Sequence, residues 1–248
     1  MPTPDSYRTI LQSLDDWDSF LMQESRLPGP RGNLELAQIV AEEGDLSRFT
    51  HFLTFDPQIA PTNTPGEFLA FCGVLGLGKL IAQGQLELLP RLRGCASDPR
   101  WRTREAVAMA LQRWGLVDMP HLLQEMERWS EGDWLEKRAA AAALSEPALL
   151  IDVRHNQRVL DILEAITTAV AQAEDRNSVE FKVLRQGLGY CWSVVVVASP
   201  ATGKPLMEKW MSFPDPDVHW IMKENLKKKR LTRMDTDWVQ SWQTRLNQ

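Results

Sequence analysis

The residue types that most often bind metals are present in this chain, but their spacing does not support metal chemistry. The histidines are His51, His121, His155 and His219. None has a second histidine or a cysteine four positions away, and no cysteine pair accompanies them. A zinc site needs several such ligands at short, regular spacing. We therefore predict no metal site and no cofactor.

The glycine motifs do not predict a phosphate-binding loop. Gly73-x-x-Gly76-x-Gly78 has no preceding strand and lacks the spacing of a dinucleotide fingerprint, and Gly203-Lys204 lacks the rest of a phosphate loop. The first three glycines fall instead in an apolar helix predicted over 67–82. Each would cost about 1 kcal/mol relative to alanine in an exposed helix interior. We interpret them as sites of close approach by a neighbouring helix, which predicts burial on most sides.

The composition limits which classes of partner and which cellular compartment are expected for this chain. The chain has 248 residues, a formal net charge of −5 and a pI near 5.5, so it has no overall attraction to nucleic acid or anionic membrane. Its three cysteines, Cys72, Cys95 and Cys191, are odd in number and scattered in apolar runs. This pattern predicts inert buried thiols in a reducing compartment.

The sequence shows no recognisable targeting or membrane-spanning pattern. The N-terminal residues lack a basic segment followed by an apolar one, so they do not resemble a secretory signal. The longest apolar run, Tyr190–Ser199, is too short to cross a bilayer. We expect a cytoplasmic protein with no membrane partner.

One helix pattern recurs along the chain. In 98–115, Asp98 is placed to cap a helix that ends at Gly115. Shifting the sequence by 33 residues aligns Trp101 with Trp134, and also Asp98 with Glu131, Arg104 with Lys137 and Leu111 with Leu144. A weaker third copy contains Asp217, Trp220 and Lys223. Such an offset is typical of stacked helix pairs.

The remaining pattern also predicts helices. We predict one helix over 7–24, a helical hairpin from 98–114 and 118–129, a break at 200–205 followed by a short helix at 206–212, and a helix through the β-branched run Val194–Val197. A lone strand there would have no partner. We divide the chain into an N-terminal helical cap and linker, 1–64, and a repeat region, 65–248.

The acidic residue six positions before a basic one, recurring ahead of apolar helices, resembles the HEAT-repeat family. The resemblance covers roughly residue 65 to the end and implies an all-α fold, a right-handed α-α superhelix of the HEAT/armadillo-like solenoid type. It implies that the acid and the basic residue bridge neighbouring repeats, and that a macromolecule binds the concave face. The scaffold serves many functions.

The segments PDPDVHWIMKENLKKKRL and LRQGLGYCWSVVVV are also similar to bacterial HEAT-like proteins, some grouped with DNA alkylation repair. That resemblance implies a basic groove for DNA. Trp114 and Asp118 match the spacing of the Trp and Asp in HEAT-like alkylpurine glycosylases, where the carboxylate stabilises the cationic charge that develops as the glycosidic bond breaks. Asp118 also lies between Gly115 and Pro120, where it would serve as a helix N-cap.

We predict a set of binding residues from the repeated tryptophans and the basic clusters: Trp101, Arg102, Trp114, Trp134, Arg138, Trp220, Lys223 and Lys227. The alternative interpretation is that the tryptophans pack in the core and that the lysines after 223 form a solvated helix end. The predicted function is a non-enzymatic binding or scaffold protein whose partner is a protein rather than duplex DNA. The alternative is a DNA-binding alkylation-repair relative, active or degenerate, with Asp118 as the candidate catalytic residue.

Overall fold

A computed structural model describes residues 4–246, and within that range helices are the only regular secondary structure, with no strand. This confirms the predicted all-α class. The helices are α1 (Pro4–Ser13), α2 (Asp18–Glu24), α3 (Leu34–Glu43), α4 (Leu46–Phe52), α5 (Pro65–Ala82), α6 (Leu89–Cys95), α7 (Trp101–Gly115), α8 (Met119–Ser130), α9 (Trp134–Leu144), α10 (Val153–Ala171), α11 (Val179–Ala198), α12 (Pro200–Met211), α13 (Pro216–Leu226), α14 (Lys229–Met234) and α15 (Thr236–Leu246). Two 3₁₀ turns, Leu86–Leu88 and Pro147–Leu150, precede α6 and α10.

The chain forms two compact units, Met1–Val117 and Asp118–Gln248, here called unit 1 and unit 2. This division differs from the predicted boundary at 64/65. Helices α2, α3 and α4 pack directly on α5, so the N-terminal quarter shares a core with the helix that follows the predicted linker. The predicted pairing of α7 with α8 spans the boundary between the units, and within unit 2 helix α8 pairs with α9 instead.

Helix α5 is the centre of unit 1 and packs most extensively on α7. A Cβ atom at Gly78 would lie 2.5 Å from the Cα of Ala110 in α7, and one at Gly76 would overlap the ring of Phe49 in α4. Glycine is therefore required at both positions for the helices to approach this closely. The predicted close approach at these glycines is confirmed.

The same helix is long and apolar enough to cross a bilayer by length and composition, which the sequence analysis did not recognise. It is the one such helix among residues 4–246, and 78% of it is buried inside the protein. Burial of this kind is typical of the central helix of a protein core.

Unit 2 is built in two layers of helices. Helices α8, α10 and α12 lie next to one another in order, and each packs on its successor in the chain, α9, α11 or α13. Helix α11 lies between α9 and α13 and packs extensively on both. The β-branched run Val194–Val197 lies inside α11, so the predicted helix is confirmed there.

Several helix boundaries differ from those predicted. The single helix expected over 7–24 is broken into α1 and α2, and the indole of Trp17 donates to the carbonyl of Leu11 across the break (2.9 Å). Helix α12 runs unbroken through Pro205, although this proline lies in the helix interior and leaves one backbone hydrogen bond unmade. Pro200 occupies the first position, which suits proline.

The start of α7 also differs from prediction. The helix begins at Trp101, not after Asp98, so Asp98 is not its cap. Instead, the Asp98 carboxylate accepts hydrogen bonds from the backbone amide of Arg100 (2.8 Å) and from its guanidinium (2.6 Å). Asp98 therefore shapes the turn before the helix rather than the first helical turn.

The burial of the three cysteines bears on the prediction that their thiols are inert. Cys72 and Cys191 are buried, and burial raises the pKa of Cys72 well above its usual value. Cys95 is only half-buried, but burial of the thiol, with Asp98 nearby, raises its pKa to about 11. Because the thiolate is the reactive form, all three should react slowly.

We therefore expect iodoacetamide at mildly alkaline pH to modify the native chain far more slowly than the urea-unfolded chain. Mass spectrometry of labelled peptides would assign the sites. Rapid labelling of native Cys95, at the rate seen in urea, would contradict a raised pKa at this thiol.

The close contacts at the glycines of α5 predict that adding a single methyl group there lowers the stability of the fold markedly. Gly78→Ala places the new Cβ against the backbone of Ala110, and we expect the free energy of unfolding to fall by about 1–3 kcal/mol through overpacking. The loss should appear despite the higher helix propensity of alanine. Urea unfolding followed by circular dichroism measures it.

Gly94→Ala is the matched control, since Gly94 lies in α6 and a Cβ there would meet no atom within 4 Å. It should be neutral or stabilise by up to about 1 kcal/mol. Equal effects of the two substitutions would rule out close helix approach as the reason for Gly78.

Candidate functional site

The strongest candidate site is a surface of unit 2 formed by α9, α11 and α13, together with the start of α14. We call it the α11 face. Its central stripe consists of exposed Lys182, Gln186 and Tyr190, spaced four residues apart on one side of α11. Tyr190 is 45% exposed, so its ring is accessible to a partner.

Two glycines of α11 allow side chains from both neighbouring helices to reach this stripe. A Cβ at Gly187 would lie 3.4 Å from the Cγ of Arg138 of α9, and one at Gly189 would lie 3.3 Å from the ring of Trp220 of α13. Because these positions carry no side chain, Arg138 and Trp220 lie against the α11 backbone. Both are predicted binding residues, and the structure brings them to one surface.

A buried asparagine fixes α13 against α11. The side-chain amide of Asn225 donates to the carbonyls of Leu188 (2.8 Å) and Ile221 (2.8 Å), and its oxygen accepts from the backbone amide of Ser193 (2.8 Å). Asn225 is fully buried, so its loss would remove these hydrogen bonds from the interior between the two helices. This clamp sets the position of the α13 side chains on the face.

Cations outnumber carboxylates on the α11 face. Arg185 pairs with Asp217 (2.5 Å) and lies 4.5 Å from the Trp220 ring, while Lys227 pairs with Glu224. Lys223 makes no hydrogen bond or ion pair within residues 4–246. The face also contains Lys182, Lys228 and Arg230.

The exposed tyrosine is surrounded by cations. The Arg230 guanidinium lies 4.4 Å from the ring centre of Tyr190 and donates to its hydroxyl (2.5 Å), and Lys228 lies 6.0 Å from the same ring. An aromatic ring held between cations can stack on a planar group while the cations bind an anion.

The face contains two open depressions that meet at Trp220 and Glu224. One, of about 460 Å³, is bordered by Lys182, Arg185, Gln186, Tyr190 and Lys228; the other, of about 360 Å³, is bordered by Lys223, Leu226, Lys227 and Gln243. Polar and charged side chains border most of both. Their chemistry therefore suits an anionic, partly planar partner rather than an apolar one.

Of the other predicted binding residues, Trp134 lies at the start of α9. Its ring contacts Phe181 edge to face at 5.5 Å, so it packs partly on α11. Burial lowers the pKa of Lys137, which lies 5.5 Å from the same ring. Trp134 therefore contributes packing at the edge of the face.

Trp101 and Arg102 lie in unit 1 and belong to a separate cavity of about 380 Å³. Trp101 is 48% exposed, whereas Arg102 is buried. Arg102 Nη1 donates to the buried carboxylate of Glu67 (3.0 Å), and Nη2 donates to the carbonyl of Gly29 (2.5 Å) and to Asn63 (3.2 Å). Its charge is therefore committed to a structural ion pair.

The neighbouring arginines of unit 1 are likewise engaged within the fold. Arg100 donates to the carbonyls of Phe55 (2.7 Å) and Ala60 (3.0 Å) as well as to Asp98, and Arg91 donates to Thr50 (2.8 Å). Because Arg100 and Arg102 are both buried, they cannot line a surface for a polyanion.

Trp114 and Asp118, the pair with glycosylase-like spacing, are both engaged within the fold. Trp114, a predicted binding residue, is buried, with 3% exposure, so its ring is not accessible to a base in this structure. Asp118 accepts from the backbone amide of His121 (3.2 Å) and caps α8, and its other oxygen lies 2.6 Å from the His121 ring. The capping interpretation is confirmed.

In the first two copies of the repeated acidic and basic pair, the basic side chain donates hydrogen bonds to nearby backbone carbonyls. Arg104 donates to the carbonyls of Asp98 (2.6 Å) and Pro99 (2.8 Å), and Lys137 donates to the carbonyl of Gly132. In both, the basic side chain reaches back to the turn before its own helix. Only in the third copy does the acid join two helices, because Asp217 of α13 pairs with Arg185 of α11.

Sequence reasoning did not identify the central stripe of the face. Lys182, Gln186 and Tyr190 recur at four-residue spacing on the polar side of an otherwise apolar helix, and that pattern was available. The predicted cluster after Lys223 was placed in one helix and its exit. In the structure it is divided between α13, a turn and α14, so only part of it faces the stripe.

No group of three or more potential metal ligands occurs within the described part of the chain. No family model matches the sequence, and neither a curated protein nor a solved structure shows significant similarity to it. The geometry of the α11 face is therefore the basis for any statement about function.

The clamp on α13 gives a prediction for how the face is held together. Asn225→Leu removes three buried hydrogen bonds, two of them to the backbone of α11, so we expect the free energy of unfolding to fall by about 2–3 kcal/mol. Urea unfolding measures the change. Exposed Asn177→Ala is the control and should have little effect; equal stability of the two variants would contradict the clamp.

Proposed function

We propose that the protein is a non-enzymatic helical-repeat binding protein of HEAT type that holds an acidic segment of a protein partner on its α11 face. The observation that carries this proposal is the cation-rich surface around exposed Tyr190 and half-buried Trp220. An acidic peptide can pair with Lys223 and Lys227 while its apolar groups contact the two rings.

The layered packing of unit 2 supports the repeat interpretation. Trp134 contacts Phe181 near the start of α11, and Arg138 contacts Gly187 further along, so α9 and α11 run in the same direction. Successive α8–α9, α10–α11 and α12–α13 pairs are then repeat units. In our proposal they wind as a right-handed α-α superhelix, with the α11 face on the concave side.

An acidic protein is favoured over nucleic acid by the charge balance. Asp217 and Glu224 already neutralise part of the face, and the chain as a whole carries a net charge of −5. A long polyanion would meet this overall repulsion, whereas a short acidic segment interacts with the face alone. The proposed setting is cytoplasmic, with no membrane partner, metal or cofactor.

DNA binding of the alkylation-repair type is the second candidate, favoured by Tyr190 between Lys228 and Arg230, where a base could stack beside phosphate-binding cations. Trp114 and Asp118 give it no catalytic support, because one is buried and the other caps a helix. In this form the protein would bind DNA without acting on it.

The test measures binding of the purified chain to a fluorescent glutamate-rich peptide and to single-stranded and duplex DNA. We expect the double variant Lys223→Glu and Lys227→Glu to weaken peptide binding by at least about tenfold, because two attractive charges become repulsive. Double substitution of Arg154 and Lys209 by glutamate is the charge-matched control, as both lie outside the two depressions.

The outcomes separate the candidates. Peptide binding that is lost only in the face variant supports the protein-binding proposal. DNA binding with a steep loss of affinity as salt rises, and no peptide binding, would replace it with the second candidate. Release of bases from alkylated DNA that disappears in folded Asp118→Asn would overturn the non-enzymatic proposal.

A further inference from the structure

The cavity of unit 1 is distinct in chemistry from the α11 face. Its volume of about 380 Å³ lies within the range of about 300–1,000 Å³ typical of small-molecule sites. Its walls are apolar and partly aromatic: Leu27, Leu34, Phe68, Phe71, Trp101 and Met109. The rings of Phe68 and Phe71 are nearly parallel, with centres 6.4 Å apart.

Two arginines add positive charge to this apolar space. Arg31 is exposed at the rim and makes no hydrogen bond or ion pair with any residue from 4 to 246. Arg102 is nine-tenths buried, and its guanidinium lies 4.4 Å from the Trp101 ring. Arg102 Nε has no hydrogen-bond partner, although its Nη atoms are held by Glu67, Gly29 and Asn63.

The rim also contains a carboxylate. Glu105 borders the cavity but has an interaction of its own within the protein. Arg102 is paired with Glu67, so Arg31 is the cation that is available to a ligand. The cavity therefore combines an apolar interior with one available cation at its mouth.

We propose that this cavity binds a monocarboxylate that carries a single alkyl or aryl group. The apolar group lies between the phenylalanine rings and Trp101, where its burial is favourable. The carboxylate pairs with Arg31, whose planar guanidinium can donate two parallel hydrogen bonds to it. A polyphosphate or a sugar would leave polar groups unpaired against the apolar walls.

Calorimetric titration of the full chain tests this with octanoate, octanol and a naphthalene carboxylate, the acids kept below micelle-forming concentrations. Octanoate should bind more tightly than octanol, which has the same tail without the charge. Comparison of the two acids distinguishes an alkyl from an aryl ligand. Arg31→Gln should weaken octanoate binding about tenfold and leave octanol binding unchanged.

A second variant fills the cavity without touching the charge. A Cβ at Gly32 would lie 3.6 Å from the Phe68 ring, an ordinary contact, so Gly32→Leu can be accommodated while its side chain occupies the space. It should abolish binding of the acids and of octanol. Exposed Arg154→Gln, outside the cavity, is the control and should bind like the unsubstituted chain; circular dichroism checks that each variant is folded.

Three results would each overturn the proposal. The first is no binding of either acid to the unsubstituted chain. The second is an equal loss of octanoate and octanol in Arg31→Gln, which would show that the arginine does not recognise the carboxylate. The third is full binding by folded Gly32→Leu, which would place the ligand elsewhere.

Discussion

Both units depend on close contacts between helices. At each contact one helix has a glycine and therefore no side chain. In unit 1, Gly76 and Gly78 let α5 approach the ring of Phe49 and the backbone of Ala110. In unit 2, Gly203 lets α12 approach Val196 of α11, where an added Cβ would lie 2.9 Å from the Val196 Cα. Interiors are packed so densely that one methyl group at such a contact must displace a helix.

Glycines at helix contacts contribute to the proposed binding surface as well as to the stability of the fold. Gly187 and Gly189 open two gaps along α11, and Arg138 and Trp220 occupy them from opposite sides. The buried Asn225 then holds α13 in the register that this arrangement requires. The proposed partner surface is thus a product of the helix packing, because the side chains that form it are positioned by the core contacts of α11.

Charge is used differently in the two units. Arg100 and Arg102 of unit 1 are buried and paired with Asp98, Glu67 and backbone carbonyls, so they stabilise turns and helix contacts. Removing one partner of such a buried pair leaves the other charge buried without compensation, which is strongly unfavourable. The cations around Tyr190 remain at the surface of unit 2, where a partner can reach them. A count of basic residues does not separate these two cases, whereas burial does.

Local sequence was sufficient to determine that the chain is helical, that Asp118 caps α8 and that the α5 glycines mark close contacts, because capping and helix periodicity depend on neighbouring residues. It could not determine which tryptophans are exposed. Trp101 and Trp114 lie on one helix, yet Trp101 is 48% exposed and Trp114 only 3%. The exposure of each ring depends on what packs against it. The unit boundary after Val117, the engagement of Arg102 by Glu67 and the convergence of Tyr190 with Arg230 are likewise decided by contacts between residues distant in the chain.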